Sequence, residues 1–236
     1  YNTILKNKRE QVLENVYLGP SFSRDEIKQF LDFKKINYLE LNDEDILKKT
    51  ANLIFQNKVI GWFQGRMEWG PRALGNRSIL ANPLNPDMQD ILNAKVKHRE
   101  MFRPFAPVVI WDKAKEYFQI DREVPYMLFV YPIKKEKRKL IPSVTHVNGT
   151  GRLQTIRRNQ NQKYYDLIKE FEKLSKVPIL INTSFNIRGE PIVCKPEEAY
   201  RCMMGTGIDY LVMNNFLISR KDNLKDAWNS ELLAKD

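Results

Sequence analysis

Cysteine and histidine are scarce in this chain of 236 residues, with two of each. Cys194 and Cys202 lie eight positions apart, a spacing that matches neither a pair of metal ligands nor a disulfide framework. Both cysteines are therefore interpreted as core residues and not as nucleophiles. A reducing compartment, and hence a cytoplasmic location, is expected.

Long apolar runs are also lacking. No stretch approaches the roughly 18–20 apolar residues that span a bilayer, and no signal region opens the chain. No membrane partner is therefore expected. The chain starts at Tyr1 and its first twenty or so residues lack clear periodicity, so it is interpreted as a fragment of a longer protein.

Aromatic residues and positive charge are plentiful. Four Trp, ten Tyr and twelve Phe provide enough apolar surface for a buried core, which excludes a disordered chain. Lys and Arg number 39 against 29 Asp and Glu, so the net charge is +10. This excess favours an anionic ligand, either small phosphates or a nucleic-acid backbone, and charge alone does not distinguish the two.

Helical and strand-like patterns alternate along the chain. Apolar periodicity and capping residues predict helices at 23–33, 43–57, 86–96, 160–175 and Pro196–Met204. Short apolar runs predict strands at 36–41, 58–63, 105–111, 126–131 and 177–181, with one or two more at 210–218. The alternation predicts an α/β fold, and the short links near the end favour a mixed sheet. One domain is expected at 23–220, between an N-terminal extension or interdomain linker at 1–22 and a polar C-terminal tail at 221–236.

The segment 64–76 breaks this pattern, because apolar periodicity vanishes and glycines accumulate. Arg66, Arg72 and Arg77 lie in or beside it, and guanidinium groups together with bare backbone amides suit phosphate or carboxylate oxygens. The alternative is a surface loop whose arginines pair with Glu68 or face water. The segment is not a P-loop, since the G-x-x-x-x-G-K-[ST] spacing is absent.

A family resemblance extends over nearly the whole chain. GWFQGRMEWGPRALGNRSILANP, VKHREMFRPFAP, THVNGTGRLQT, PILINTSFNIRGEPIVCKPEEA and GIDYLVMNNFLI look like the signature of the nodulation-type and antibiotic-type O-carbamoyltransferases. That family pairs an N-terminal actin-like-fold transferase domain with a C-terminal YrdC-like domain. The chain resembles the second domain only, so the resemblance implies a YrdC-like open twisted mixed sheet with flanking helices and an absent partner domain.

The resemblance also assigns residues to an ATP site. It implies a K-x-R pair, Lys97 and Arg99, and an S-x-N pair, Ser184 and Asn186, around the ATP phosphates. It implies catalytic or carbamoyl-adenylate contacts at Arg72, Lys97, Arg152, Asn182 and Ser184. A second group, for which a purely structural role is the alternative, comprises Arg66, Arg77, Arg103 and His146. No residue is assigned as a metal ligand, and Mg²⁺ is expected to accompany the ATP.

The chain departs from the family pattern at one position. Where the family usually has His-Val-Asp-Gly, this chain has Asn148 between Val147 and Gly149. If the acid orients Arg152, an amide still accepts a hydrogen bond but forms no ion pair. His146 is interpreted as a structural hydrogen-bonding residue, with acid–base catalysis as the alternative.

The resemblance implies carbamoyl adenylation with ATP and carbamoyl phosphate, followed by transfer to a hydroxyl group in the N-terminal domain. Two alternatives stay open. A YrdC-like module with this net charge could bind nucleic acid, although the arginines cluster with glycines and not with aromatics suited to base stacking. The chain could also make threonylcarbamoyl adenylate from bicarbonate and threonine.

Overall fold

The structure is a computed structural model that describes residues 2–6 and 15–231. Parts of the predicted extension (1–22) and tail (221–236) therefore lie outside the described residues. The strands of the described part are β1 Leu39–Glu40, β2 Ile60–Phe63, β3 Arg77–Ala81, β4 Ala106–Ile110, β5 Phe129–Pro132, β6 Thr150–Ile156, β7 Ile179–Ser184, β8 Tyr210–Met213 and β9 Phe216–Ser219. Its α-helices are α1 Asn2–Leu5, α2 Arg24–Phe33, α3 Asp43–Phe55, α4 Met88–Leu92, α5 Trp111–Tyr117, α6 Gln162–Ser175 and α7 Pro196–Met204. No helix in these ranges is long and apolar enough to span a membrane.

The strands form one mixed sheet in the order β1-β9-β8-β2-β3-β7-β4-β6-β5. The pairs β2–β8 and β4–β6 are parallel, and the other neighbouring pairs are antiparallel. The predicted mixed α/β fold is thereby confirmed. The strands that form the centre of the sheet, β2, β3, β7 and β4, come from distant parts of the sequence.

Alternate side chains of the central strands face two separate cores. Trp62 of β2 and Leu180 of β7 pack in one core with residues of α3 and α6. Phe63 and Ile181, their neighbours in sequence, pack in the other core with residues of α2, α4 and α7. Helices thus cover both faces of the sheet. Cys202 is buried in the second core as predicted, whereas Cys194 is only half-buried and lies outside that core.

Two predicted helix starts are confirmed by their capping hydrogen bonds. The Ser23 hydroxyl accepts from the backbone N–H of Glu26, while the Glu26 carboxylate accepts from the backbone N–H of Ser23 at 2.7 Å. The Asn42 side-chain oxygen accepts from the backbone N–H of Asp45 at 2.8 Å. These contacts satisfy free donors in the first turns of α2 and α3.

Several elements differ from the predictions for local reasons. β3 was not predicted, because it is buried on both faces and shows no apolar alternation. β6 was not predicted either, since polar residues such as Arg152 and Gln154 occupy one of its faces. The strand predicted at 36–41 is shortened to Leu39–Glu40. Its first residue, Ile36, instead donates its backbone N–H to Leu31 and closes the end of α2.

The polar segment after β9 is attached to the rest of the fold by buried side chains. The side-chain oxygen of Asn223 accepts from the backbone N–H of Asn37 at 2.9 Å, and its amide donates to the Asn37 carbonyl at 3.0 Å. The buried Ser230 hydroxyl lies 3.1 Å from Nε2 of His98. The described part of the predicted tail therefore packs against the domain.

Candidate functional site

The glycine-rich segment forms the connection between β2 and β3 and is organised by the buried carboxylate of Glu68. Its Oε1 atom accepts from the backbone N–H groups of Leu74 and Asn76, each at 2.7 Å, and of Arg77 at 3.3 Å. Among the described residues, Glu68 forms no ion pair with an arginine of this loop. The alternative in which these arginines pair with Glu68 is therefore wrong, and the carboxylate instead shapes the backbone.

Gly75 permits this loop conformation, because its φ of +113° is a value that side-chain-bearing residues rarely adopt. A Cβ atom at this position would lie 2.0 Å from Cδ1 of the buried Tyr164. The loop thus packs directly onto α6, which holds it in place.

Arg66 and Arg77 lie outside the cavity described below and support the loop. Arg66 donates to the carbonyl groups of Leu18 at 2.8 Å and Gly19 at 3.1 Å. Arg77 is fully buried, donates to the carbonyl of Gln64 at 2.6 Å and stacks over the Phe63 ring. Burial lowers the pKa of Arg77 to about 10. Both arginines have the protein contacts that the structural alternative requires.

A cavity of about 500 Å³ opens beside the same loop. Its polar lining consists of Arg72 from the loop, Arg99 and Arg103 after the π-helical turn Asn93–Lys97, His146 and Arg152 before and on β6, and Asn182, Thr183 and Ser184 of β7. Most of the residues predicted for the site therefore meet at one place, although they come from four separate segments of the chain.

Arg72 and Arg152 are the two arginines in this cavity that have no hydrogen-bond or ion-pair partner among the described residues. The Nε atom of each is buried without a hydrogen-bond partner, and neither residue forms an ion pair with another described residue. Burial and then the charge of Arg72 lower the pKa of Arg152. Two like charges held together without an acid indicate a site for an anion.

Arg99 and Arg103 are anchored at another part of the cavity wall. Arg99 donates from Nε to the Asn93 side-chain oxygen at 2.7 Å, and its guanidinium lies over the Phe105 ring. Arg103 forms an ion pair with Glu100 at 2.9 Å. Burial lowers the pKa of Arg99, and the charges of Arg103 and Arg152 add to this effect.

Lys97 and Asn186 do not line the cavity but lie behind Ser184, which does. The Lys97 ammonium donates to the side-chain and main-chain oxygens of Asn186 at 2.8 and 2.9 Å and lies 3.3 Å from the Ser184 hydroxyl. The Ser184 hydroxyl in turn donates to the Asn186 side-chain oxygen at 2.7 Å. The K-x-R and S-x-N pairs are thus in contact, with Lys97 holding the end of β7.

Asn182 is held in one orientation by Gln154, a residue that the sequence analysis missed. The Asn182 amide donates to the Gln154 side-chain oxygen at 2.7 Å, and Gln154 donates to the Leu74 carbonyl at 2.9 Å. The Asn182 side-chain oxygen is buried without a partner. Gln154 lies two residues after Arg152 on β6, and this strand periodicity is the signal that could have identified it.

His146 faces the cavity at the turn before β6, and the position that departs from the family pattern lies beside it. Its Nδ1 atom is 3.1 Å from the Thr150 hydroxyl oxygen, which lies 2.7 Å from the Asn148 side-chain oxygen. Asn148 therefore contacts Thr150, and no hydrogen bond joins it to Arg152 in the described structure. Burial and the nearby Arg152 charge lower the pKa of His146.

The sequence matches a known protein family over most of its length. The family described as Carbamoyltransferase C-terminus matches residues 51–220. This chain belongs to that family. It is 41% identical to the nodulation protein NolNO of Sinorhizobium fredii over 99% of the chain and 35% of NolNO. It is 39% identical to NolO of Bradyrhizobium diazoefficiens over 92% of the chain and 40% of NolO.

This member of the carbamoyltransferase C-terminus family also shares its fold with solved structures. HypF in a phosphate- and nucleotide-bound form covers 78% of the chain at 17% identity with a TM-score of 0.51, and the chain covers 23% of HypF. P. abyssi Sua5 complexed with L-threonine covers 75% at 14% identity with a TM-score of 0.53, and the chain covers 48% of Sua5. These likenesses confirm the predicted YrdC-like fold.

The electrostatics of the cavity favour a polyanionic ligand. Four arginines line the cavity, and no aspartate or glutamate is among the described residues that line it. Guanidinium groups bind phosphate oxygens through pairs of N–H donors, and they do so most strongly where water is excluded. The cavity volume of about 500 Å³ falls in the range of small-molecule and cofactor sites.

Proposed function

We propose that the arginine-lined cavity binds ATP together with carbamoyl phosphate and forms carbamoyl adenylate. The observation that carries this proposal is a pair of arginines, Arg72 and Arg152, that have no partner within residues 2–6 and 15–231 and line a cavity to which those residues contribute no carboxylate. Membership of the carbamoyltransferase family supports a carbamoyl group as the unit that is activated. The phosphate and nucleotide named for HypF support a site of the same kind.

In the proposed reaction, carbamoyl phosphate is first hydrolysed to carbamate and phosphate. A carbamate oxygen then attacks the α-phosphorus of ATP, and the bond between the α-phosphorus and the bridging oxygen breaks. Pyrophosphate leaves with the electron pair of that bond, and carbamoyl adenylate remains. The nucleophile is already an anion, so the protein mainly positions the reactants and offsets charge on the phosphate oxygens.

The proposed roles of the side chains follow from their places in the cavity. Arg72 and Arg152 bind phosphate oxygens and the carbamoyl adenylate, because they are the arginines of the cavity without a partner among the described residues. Ser184 offers a hydroxyl at the end of β7, where open α/β sheets commonly bind ligands. Lys97 and Asn186 act through Ser184 by holding this strand end.

We expect Mg²⁺ to enter with the ATP phosphates. No group of three or more His, Cys, Asp and Glu side chains in the described ranges could hold a metal ion. Phosphate oxygens and water commonly supply most of the ligands of Mg²⁺ in nucleotide sites. The arginines of the cavity would then share the neutralisation of the triphosphate with this ion.

Transfer of the carbamoyl group to a hydroxyl acceptor is proposed to take place in an N-terminal actin-like-fold domain of a longer protein. The chain spans about a third to two-fifths of its relatives NolNO and NolO, which leaves room for such a domain. In this scheme the chain prepares the activated carbamoyl group and the other domain delivers it.

Exchange of labelled pyrophosphate into ATP tests the proposal. Label should enter ATP only when carbamoyl phosphate and Mg²⁺ are present. Arg152→Gln should lower the exchange rate about tenfold to a hundredfold, because it removes a charged hydrogen bond to the ligand. Arg158→Gln is the matched control, since Arg158 is exposed and pairs with Asp166. Absence of exchange with both this chain and the longer protein would overturn the proposal.

The same assay separates the two alternatives. The shared fold with Sua5, whose structure contains L-threonine, favours testing synthesis of threonylcarbamoyl adenylate. Exchange that requires threonine and bicarbonate in place of carbamoyl phosphate would support that activity. Nucleic-acid binding should weaken steeply with salt and should not compete with ATP.

A further inference from the structure

The cavity is rich in hydrogen-bond donors, and its acceptors include the buried, unpartnered side-chain oxygen of Asn182. Its four arginines carry N–H groups and no acceptor. They suit phosphate oxygens, but they offer nothing to the amino group of a carbamoyl moiety, which donates hydrogen bonds. A cavity that holds this amino group beside phosphate oxygens needs an accepting atom in its wall, because a buried donor without a partner weakens binding.

His146 has a second atom of this kind. The residue lies in the cavity wall, and its Nδ1 is engaged with the Thr150 hydroxyl at 3.1 Å. Its other ring nitrogen, Nε2, has no hydrogen-bond partner within the part of the chain that the structure describes. Nε2 is also absent from the buried unpartnered atoms of that part, whereas the Asn182 side-chain oxygen is one of them, so Nε2 is the more solvent-accessible of these two acceptors.

A short chain of hydrogen bonds determines which nitrogen of His146 carries the proton. The side-chain oxygen of Asn148 accepts from the backbone N–H of Thr150 at 3.2 Å and lies 2.7 Å from the Thr150 hydroxyl. The single hydroxyl hydrogen of Thr150 is therefore donated to Asn148. The hydroxyl oxygen is left to accept from Nδ1–H of His146, and the lone pair of the neutral ring lies on Nε2.

We propose that Nε2 of His146 accepts a hydrogen bond from the amino group of the carbamoyl moiety, and that Thr150 is the positioning residue that keeps this nitrogen unprotonated. The inference rests on the proposed adenylation function and adds a determinant of ligand choice to it. This hydrogen bond lets the site discriminate a carbamoyl group from an acetyl group of the same shape, since a methyl group has no N–H to donate.

The surroundings of His146 keep the accepting lone pair available. Burial and the charge of Arg152 lower the pKa of the ring. Arg72, Arg99 and Arg103 line the same cavity and add positive charge, and no carboxylate of the described part of the chain lines it. A protonated ring would be a donor on both nitrogens and would repel the amino group.

The first test reads the tautomer directly and does not depend on any ligand. Long-range proton–nitrogen NMR of the imidazoles is simple here, because the chain has only two histidines. His146→Gln identifies the signal, and His98→Asn is the matched control outside the cavity. Nδ1–H is expected for His146 in the native chain and in Thr150→Ser, and Nε2–H in Thr150→Val. An Nε2–H tautomer in the native chain would overturn the proposal.

The second test measures ligand choice with two stable adenylate analogues. 5′-O-(N-carbamoylsulfamoyl)adenosine and 5′-O-(N-acetylsulfamoyl)adenosine differ only in an amino or a methyl group. Calorimetry on the native chain should show about tenfold tighter binding of the carbamoyl analogue. Thr150→Val and His146→Phe should bring the ratio of the two affinities close to one, whereas Thr150→Ser and His98→Asn should preserve it.

The outcomes distinguish failure of this inference from failure of the adenylation proposal. Equal affinities for the two analogues in the native chain, or an unchanged ratio in Thr150→Val and His146→Phe, would refute the role of His146 and leave adenylation standing. Failure of both analogues to bind would overturn the adenylation proposal, and with it the ligand-dependent part of this inference.

Discussion

The ammonium group of Lys97 lies 2.8 Å from the side-chain oxygen of Asn186. This contact joins the π-helical turn Asn93–Lys97 to the residues just after β7. The lysine is almost fully buried and has oxygen atoms and no carboxylate among its hydrogen-bond partners. It therefore ties together the two segments that carry the K-x-R and S-x-N pairs, and it forms no ion pair with another residue that the structure describes.

Burial of Lys97 should make stability depend on pH. Burial lowers its pKa to about 7, from an ordinary value of 10.5. Between these values the unfolded chain binds more protons, so the free energy of unfolding should rise with pH. From pH 7 to 9 the rise should reach up to about 2 kcal/mol in urea titrations. Lys97→Met should abolish this rise in stability with pH. Lys49→Met, which replaces an exposed lysine, should leave the rise unchanged. A slope that survives in Lys97→Met would contradict this assignment.

Arg152→Gln should change stability and ligand affinity in opposite directions. The native residue is a half-buried charge that has no counter-ion in the described part of the chain and has Arg72 beside it. Its removal should raise the free energy of unfolding by up to about 1 kcal/mol, because the repulsion between Arg72 and Arg152 is lost. ATP affinity should fall about tenfold or more. Urea unfolding and calorimetry measure the two effects, and a loss of stability with unchanged affinity would assign Arg152 to a structural role.

Glu68→Ala should destabilise the loop between β2 and β3. The buried carboxylate accepts three backbone N–H groups, and removing it leaves these donors unsatisfied. We expect a loss of about 2–4 kcal/mol in the free energy of unfolding, since several buried donors lose their partner. Glu68→Gln keeps an accepting oxygen and should lose less. Equal losses in the two variants would show that the charge, and not the accepting oxygen, organises the loop.

Stability should also fall as the solution becomes acidic, because of His146. Its pKa is lowered in the folded chain by burial and by Arg152, so below the ordinary pKa the unfolded chain binds more protons. The free energy of unfolding should therefore decrease as pH falls below about 6.5. Arg152→Gln should raise the pKa of His146 in an NMR titration. An unchanged pKa in that variant would show that Arg152 does not act on this ring.

The sequence predicted the local elements best where a single signal dominates. Acidic residues after Asn42 and an apolar stripe identify α3, and turn-forming residues identify the loop before β3. It did not reveal β3 itself. A strand buried on both faces lacks the alternation that marks a strand, and its first residue, Arg77, is of a type that is seldom buried.

The site was predicted in composition and only partly in arrangement. Arg66, Arg72 and Arg77 are equivalent when read from the sequence. In the fold, Arg72 borders the cavity, whereas Arg77 donates to the main chain beneath the loop. Gln154 and Thr150 escaped notice because their importance lies in the atoms that they orient, Asn182 and His146.

The sequence by itself determined that this chain has a mixed α/β fold, that it carries an excess of positive charge, and that it belongs with carbamoyltransferases. The tertiary structure decided which of its many cations face a ligand and which hold the backbone. The physical reason is that a guanidinium group takes its role from the oxygen atoms within reach. Those oxygens are brought near by strands such as β3 and β7, which pair across the sheet although they are far apart in the chain.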